Sequence, residues 1–425
     1  MLPYFLFILY LGVFCWGVPR LSFVKKTGLS QLSIISLLLL NVLAGVAVGW
    51  TALHFTGIDN DYWDINKFGW EEYQLLIHQP GDYINNLFHS HYENGYHHVF
   101  DSYASYWNDL RNNLVIKFVS ILDLFTSGNY YVNSIFFSVL AFFGHIALYR
   151  VFLYIYPENK KLVLMGTFLL PSMLFYSAGM HKDGLVFFFI GMISLLLYQI
   201  IFLKKRNSKR WIYLFFFIAL LFLIRNFIVL ALAPAILALV IAEWKKWSAF
   251  RVFFITYAIT ALVFFNLSAV LPSFNLPETF AKRQWDFKNQ PWAGVGKTDI
   301  SLTTLYPNFR SYVNNTPQAI NHVLMRPYIS EYKPISLFPF SVELFCYQCL
   351  FILFLLFKKR TQPNQQSFIL FGLFFALLIY LNIGYTIPNI GSIIRYRSLY
   401  LPFIITPLLC SINWEKCVKI IQFKK

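Results

Sequence analysis

The chain has 425 residues, of which 58% are hydrophobic, 20% aromatic and only 13% charged, with a mean hydropathy of +0.55. That make-up excludes an ordinary soluble domain and reads as a polytopic membrane protein. The formal net charge of +16 then reads as membrane topology and contact with anionic membrane lipid, with no nucleic acid as a partner.

Apolar runs predict about eleven transmembrane helices, near residues 3–18, 31–53, 131–154, 162–178, 184–203, 211–224, 227–243, 252–271, 336–357, 367–386 and 398–412. None alternates as a strand does, and a backbone in lipid must satisfy its own hydrogen bonds. The fold class is therefore all-α, a single membrane domain over residues 1–425. No basic residue precedes the first run, so Met1 to Val18 is expected as a retained span rather than a cleaved signal. Two long loops, about 54–130 and 272–335, interrupt the spans, and the segment 112–127 in the first is apolar enough to lie in the membrane interface.

Basic residues set the sidedness. Arg20, Lys25, Lys26, Lys160, Lys161, the 204–210 and 245–251 clusters, Lys358-Lys-Arg360 and the Lys-rich tail all fall on one side of the predicted spans. The positive-inside rule makes that side cytoplasmic, with the N-terminus and both long loops outside and the C-terminus inside. The cytoplasmic connections are short and carry no Gly-rich phosphate loop, which argues against ATP-driven work. Gly294-x-Gly296-Lys297 lacks the spacing and reads as a turn. The five cysteines avoid both loops, so no disulfide framework is expected, and Cys346-x-x-Cys349 reads as apolar filler on a helix.

The first outer loop is acidic and rich in tyrosine and tryptophan. Between Asp59 and Asp109 it holds nine acids and one base, Lys67. The aromatic residues read mainly as an interfacial belt. Asp59 and Asp61, two apart just after a span, have the chemistry to bind a divalent cation through oxygen or to act as a general base. His89, His91, His97 and His98 lack a settled ligand spacing, so no metal site is assigned to them.

Cations also stand at the outer ends of spans: Lys182, Arg225, Arg326, Arg395 and Arg397. A guanidinium fork binds phosphate oxygens bidentately and tolerates partial burial. Glu343, just inside a span, is expected in an intramembrane hydrogen bond or paired with one of the cations or His145.

Three patches carry a family resemblance. Pro171-Ser-Met-Leu-Phe-Tyr-Ser-Ala-Gly-Met-His-Lys-Asp183 resembles a "PS..FWS.G..K(D/E)" signature, with Phe175-Tyr176 in place of Phe-Trp. Leu324-Met-Arg-Pro-Tyr-Ile-Ser-Glu331 resembles an "LxRPxxxE" element, and Gly391-Ser-Ile-Ile-Arg-Tyr-Arg397 with Pro402-Phe403 a "G...R.R....PF" element. Leu223-Ile-Arg225 matches the "RP" span start in part, because Asn226 replaces the proline. Taken in order over about 140–410, these resemble the Wzy/EpsG-like repeat-unit polymerases and the GT-C-type glycosyltransferases of bacterial polysaccharide assembly.

The resemblance implies a glycosyltransferase or polymerase of the bacterial inner membrane, acting at the outer face on sugar carried by a polyprenyl (di)phosphate, within a polysaccharide assembly complex. Arg225, Arg326, Arg395 and Arg397 would bind phosphate. Lys182 and Asp183 would be a supporting pair, and Asp59, Asp61 or a loop histidine the base. A flippase of lipid-linked saccharide is the alternative, disfavoured because the span centres are nearly free of charge. A non-catalytic scaffold is the third reading.

Overall fold

The computed structural model describes residues 1–57, 60–88, 95–96, 99, 105–289, 298–331, 334–359 and 365–422. Asp59, the four loop histidines and the Gly294–Lys297 turn lie outside them. Among the described residues the chain is all-helical, with no β-strand.

The order is α1 (Leu2–Gly17), α2 (Ser22–Lys25), α3 (Gln31–Thr56), α4 (Asp61–His78), α5 (Pro80–Asn85), α6 (Tyr106–Thr126) and α7 (Tyr130–Ile155). Then come α8 (Lys160–Phe168), α9 (Pro171–Ala178), α10 (Lys182–Ile201), α11 (Ser208–Lys245), α12 (Ala249–Val270), α13 (Leu276–Lys288) and α14 (Phe309–Leu324). The last are α15 (Phe338–Phe357), α16 (Gln366–Thr386), α17 (Ile390–Ser398), α18 (Leu401–Ser411) and α19 (Trp414–Gln422).

Among the described residues, eight helices are long and apolar enough to cross a membrane, and ten crossings result if the bent pairs α8/α9 and α17/α18 each form one. Large apolar side chains such as Ile8, Leu43, Phe215, Phe254 and Leu356 are more than half exposed. That is the exterior of a multi-pass membrane protein, solvated by lipid rather than water. The difference from about eleven predicted spans lies in α11. The expected spans 211–224 and 227–243 share one helix of 38 residues, interrupted at Arg225, whose φ/ψ of −147°/81° is extended.

Helix starts follow the sequence closely. Ser30, Asn60, Ser105, Asn275, Asn308 and Asn389 each accept a backbone N–H of the first turn that follows. Short polar side chains at this position satisfy donors the helix cannot. Pro171 and Pro402 stand at the starts of α9 and α18, where a missing N–H costs nothing and the preceding helix must stop.

The chain divides into two compact units, Met1–Val151 with Met173–Asn226, and Phe152–Ser172 with Phe227–Lys425. Within the first, α3 packs closely on its neighbours. Gly45 lies against the Ser138 hydroxyl and the Ala178 carbonyl, so any larger side chain would collide. The region between α3 and α7 is built by α4 and α6. The buried face of α6 is mixed, with Val115, Val119 and Leu122 beside polar side chains. Asn113, Lys117, Ser120 and Asp123 are buried, while Ile121, Leu124 and Phe125 are exposed.

Its buried face is held by charge. Lys117 Nζ donates to Glu72 Oε2 at 2.8 Å and to the Tyr83 carbonyl at 2.5 Å, and lies 3.9 Å from the Tyr83 ring centroid. Asn86 Nδ2 donates to Glu72 Oε1 at 2.9 Å. In the second unit, Gln284 plays the matching part. Its amide donates to the carbonyls of Thr303 (3.1 Å) and Tyr385 (2.7 Å), and its oxygen accepts from Leu305 N at 2.9 Å.

Removing one member of a buried ion pair strands the other. Glu72→Ala is therefore expected to destabilise the α4–α6 region by about 3–5 kcal/mol, and the double change Glu72→Leu/Lys117→Met by much less. Hydrogen exchange of residues 61–126 in detergent-solubilised protein measures both.

Candidate functional site

The signature around residue 180 breaks the chain between α9 and α10. Gly179 and Met180 form the break, and His181 caps α10. Glycine is required at 184, because a Cβ there would collide with the Ser177 carbonyl. This close approach sets the first turn of α10 against the end of α9.

Asp183 has no solvent exposure. Its Oδ1 accepts from Arg225 Nη2, and its Oδ2 lies 3.0 Å from His181 Nδ1. Arg225 is itself 8% exposed and sits at the interruption in α11. A buried carboxylate costs several kcal/mol to desolvate unless it is paired, so these partners are what permit Asp183 to be ionised. On the other side of the imidazole, His181 Nε2 is 3.9 Å from Asp61 Oδ2. The Asp61 side chain is 65% exposed against 2% for His181, so the series runs from solvent inward. The Tyr62 ring centroid is 5.4 Å from that of His181.

Of the predicted residues in the first unit, Asp61, Asp183 and Arg225 are thus brought together, with His181 as the link. Lys182 turns elsewhere. Its Nζ donates to Asn112 Oδ1 at 2.6 Å. Neighbours in sequence on a helix point to different faces, so Lys182 and Asp183 serve different partners. His181 is the residue to which sequence reasoning assigned no role. The available signal was a histidine two residues before an acid at a helix start, where its ring could cap the helix.

In the second unit, Arg326 and Arg397 meet. Arg397 is 4% exposed, and its Nη1 donates to the carbonyls of Val323 (2.7 Å) and Arg326 (2.5 Å). It thereby caps the C-terminal end of α14, where a cation is favoured by the helix dipole. Arg326 turns to Glu331, with Nε at 2.9 Å and Nη2 at 2.5 Å from Oε1. Glu331 Oε2 accepts from Tyr328 N at 2.9 Å, closing the loop. Arg395, on the same short helix as Arg397, is half-buried and lies 5.6 Å from the Tyr396 ring centroid. A bidentate anion ligand at Arg326 has to compete with Glu331, and one at Arg397 with backbone carbonyls.

Glu343 is hydrogen-bonded, as one of its expected roles required. It accepts from Ser172 N and Ser172 Oγ at 3.1 Å and from Tyr347 Oη at 2.5 Å. The serine of the "PS" pair is therefore the partner of an intramembrane acid at the start of α9. Among the described residues, no three His, Cys, Asp or Glu side chains gather closely enough to hold a metal ion.

Comparison with protein-family models, with curated proteins and with solved structures finds no match.

His322, one turn before Arg326, is buried and its Nδ1 has no hydrogen-bond partner. Burial, followed by the Arg326 charge, holds it below the ordinary histidine value of 6.5, partly opposed by Glu331. The unfolded chain thus binds this proton more readily than the folded one. The stability contributed by neutral His322 is complete above pH 6.5 and falls as pH drops below it. Protease sensitivity of the 309–331 segment should rise on acidification in the wild type, and the rise should be smaller in His322→Phe.

Proposed function

We propose that this chain is an inner-membrane glycosyltransferase or polymerase of cell-surface polysaccharide assembly, using sugar units on a polyprenyl (di)phosphate at the outer face. The observation that carries the reading is the linked series Asp61–His181–Asp183–Arg225, which reaches from an exposed carboxylate to a buried guanidinium at the end of a span. Ionisable groups at this depth are expensive and mark functional sites. The sequence patches that resemble the polysaccharide polymerases supply the reaction class.

The chemistry is displacement at an anomeric carbon. The acceptor hydroxyl oxygen forms a bond to that carbon, and the bond to the carrier phosphate oxygen breaks with its electron pair. The departing phosphate gains negative charge, which arginine stabilises. Arg395, half-buried on the short helix α17, is the arginine assigned to this task, and Arg397 and Arg326 hold the adjoining helix end and loop. Asp61, the exposed acid of the series, takes the hydroxyl proton. A divalent cation has a candidate oxygen ligand in Asp61, with Asp59 just before it in sequence.

The same reading includes the topology of eleven spans, N-terminus outside and C-terminus in the cytoplasm. Basic clusters at 204–210 and 245–251 flank α11 at both ends, and the positive-inside rule places both on the cytoplasmic side. Single cysteines introduced in the two clusters should both resist a membrane-impermeant thiol reagent in intact cells. Labelling of one cluster alone would reject the eleven-span topology.

Deletion of the gene followed by analysis of lipid-linked intermediates tests the activity. A polymerase deletion accumulates single complete repeats on the outer face, and a single-sugar transferase deletion leaves an undecorated acceptor. Units trapped on the cytoplasmic face would instead identify a flippase. Arg395→Ala should lower product formation about 10²–10³-fold at unchanged protein level. Wild-type yield from that variant would remove Arg395 from the reaction.

A further inference from the structure

We infer that Arg150, with Lys25 and Lys26 of the connection it touches, holds the phosphate of an anionic phospholipid at the basic end of the first unit. Arg150 stands near the end of α7 and is 5% exposed. Its Nη1 donates to the Phe23 carbonyl at 3.4 Å, and its guanidinium carbon lies 4.9 Å from the Phe23 ring centroid. Phe23 is braced in turn by the edge of Phe143 of α7, with ring centroids 6.0 Å apart. Arg150 Nε is buried and has no hydrogen-bond partner. No carboxylate among the described residues pairs with this cation.

The distribution of acids explains why none does. Residues 1–58 and 124–157 hold no Asp or Glu, and within the first unit every acid falls in 59–123 or at 183. Asp123 meets α7 at Asn133. Asn133 and Arg150 stand about 25 Å apart along that helix at 1.5 Å per residue. A guanidinium cannot escape burial by losing its proton. A buried charge without a counter-ion is costly, and one carbonyl with one aromatic face offsets only part of that cost. The missing negative charge has to be brought by a ligand.

The surroundings select which one. Arg20, Lys25 and Lys26 flank Phe23 in the chain and are exposed. Arg20 Nη1 donates to the Trp16 carbonyl, and its guanidinium carbon lies 4.4 Å from the Trp16 ring centroid. Trp16 and Leu21 are themselves 66% and 45% exposed. Guanidinium and ammonium groups together collect a phosphate. Tryptophan stands at headgroup level, and basic clusters beside membrane helices bind anionic headgroups. A phospholipid places its phosphate on the cations and its chains on Trp16 and Leu21. Free phosphate would leave the apolar half of this surface uncovered.

Native mass spectrometry of the full-length protein, titrated with phosphatidylglycerol in detergent, tests the assignment. Phosphatidylcholine with the same chains is the control. Arg150→Met should weaken phosphatidylglycerol binding about 10–100-fold, the worth of a hydrogen bond to a charged group. Lys25→Gln and Lys26→Gln should each weaken it about fivefold. Thermal unfolding in nanodiscs then separates lipid binding from a purely internal role. Phosphatidylglycerol should raise the Tm of the wild type above its value in phosphatidylcholine. Arg150→Met should be no less stable than wild type in phosphatidylcholine, because it removes an unpaired charge, and should gain little from phosphatidylglycerol. A variant destabilised equally in both lipids would make Arg150 an internal contact only and overturn the inference. So would phosphatidylcholine binding as tightly as phosphatidylglycerol, or inorganic phosphate reproducing the stabilisation in phosphatidylcholine nanodiscs. If Arg150→Met is poorly made, the lysine variants at their exposed positions decide, and unchanged phosphatidylglycerol binding in both would overturn it.

Discussion

A charge removed from water must find its counterpart within a few ångströms or cease to be a charge, and that constraint organises this protein. Asp183 is the clearest instance. It is wholly enclosed, and both its oxygens are committed, one to Arg225 and one facing His181. The guanidinium is nearly buried in turn and occupies the one non-helical residue of α11. The ring of His181 is fixed by the backbone of the same aspartate. Glu72 with Lys117 and Glu343 with Ser172 and Tyr347 follow the same rule at other places in the chain. In each case the interaction is worth less for its attraction than for the penalty it averts.

The short patches that resemble polysaccharide polymerases gain a physical meaning from this. Ser172 answers Glu343, and Ser177 Oγ lies 3.3 Å from His145 Nε2. Lys182 reaches Asn112, Arg326 closes on Glu331, and Arg397 caps α14. Much of each patch is therefore committed to holding helix ends in place. A patch of this kind identifies a way of building the membrane scaffold. In the proposed reaction the chemistry is assigned to other residues, Asp61 and Arg395.

Much of the helical fold was legible in the residues. Continuous apolar runs marked the long helices. The predicted breaks near 180 and 225 are present in the backbone. Two things were not legible. One is whether the residues on either side of Arg225 count as one helix or two, because the break is a single residue in an otherwise continuous apolar stretch. The other is pairing. Nothing in the order Lys182-Asp183 tells which distant side chain each will meet, since partners such as Asn112 and Arg225 come from other helices. Candidate residues were therefore easier to nominate than to connect, and His181 went unassigned because both its contacts to Asp183 depend on the local turn at the start of α10.

The exposed apolar residues of α6 bear on how the molecule can be handled. The segment between α3 and α7 has length and helices, and by size it invites expression as a separate fragment. Its hydration pattern forbids that. Ile121, Leu124 and Phe125 lie outward, and Tyr10 of α1 donates to the Phe125 carbonyl at 2.9 Å. Excised into water, the piece would present this apolar ridge to solvent with the Glu72–Lys117 pair inside, and it would self-associate rather than report on the intact protein. Detergent or a bilayer is thus a structural component of this region as much as of the spans.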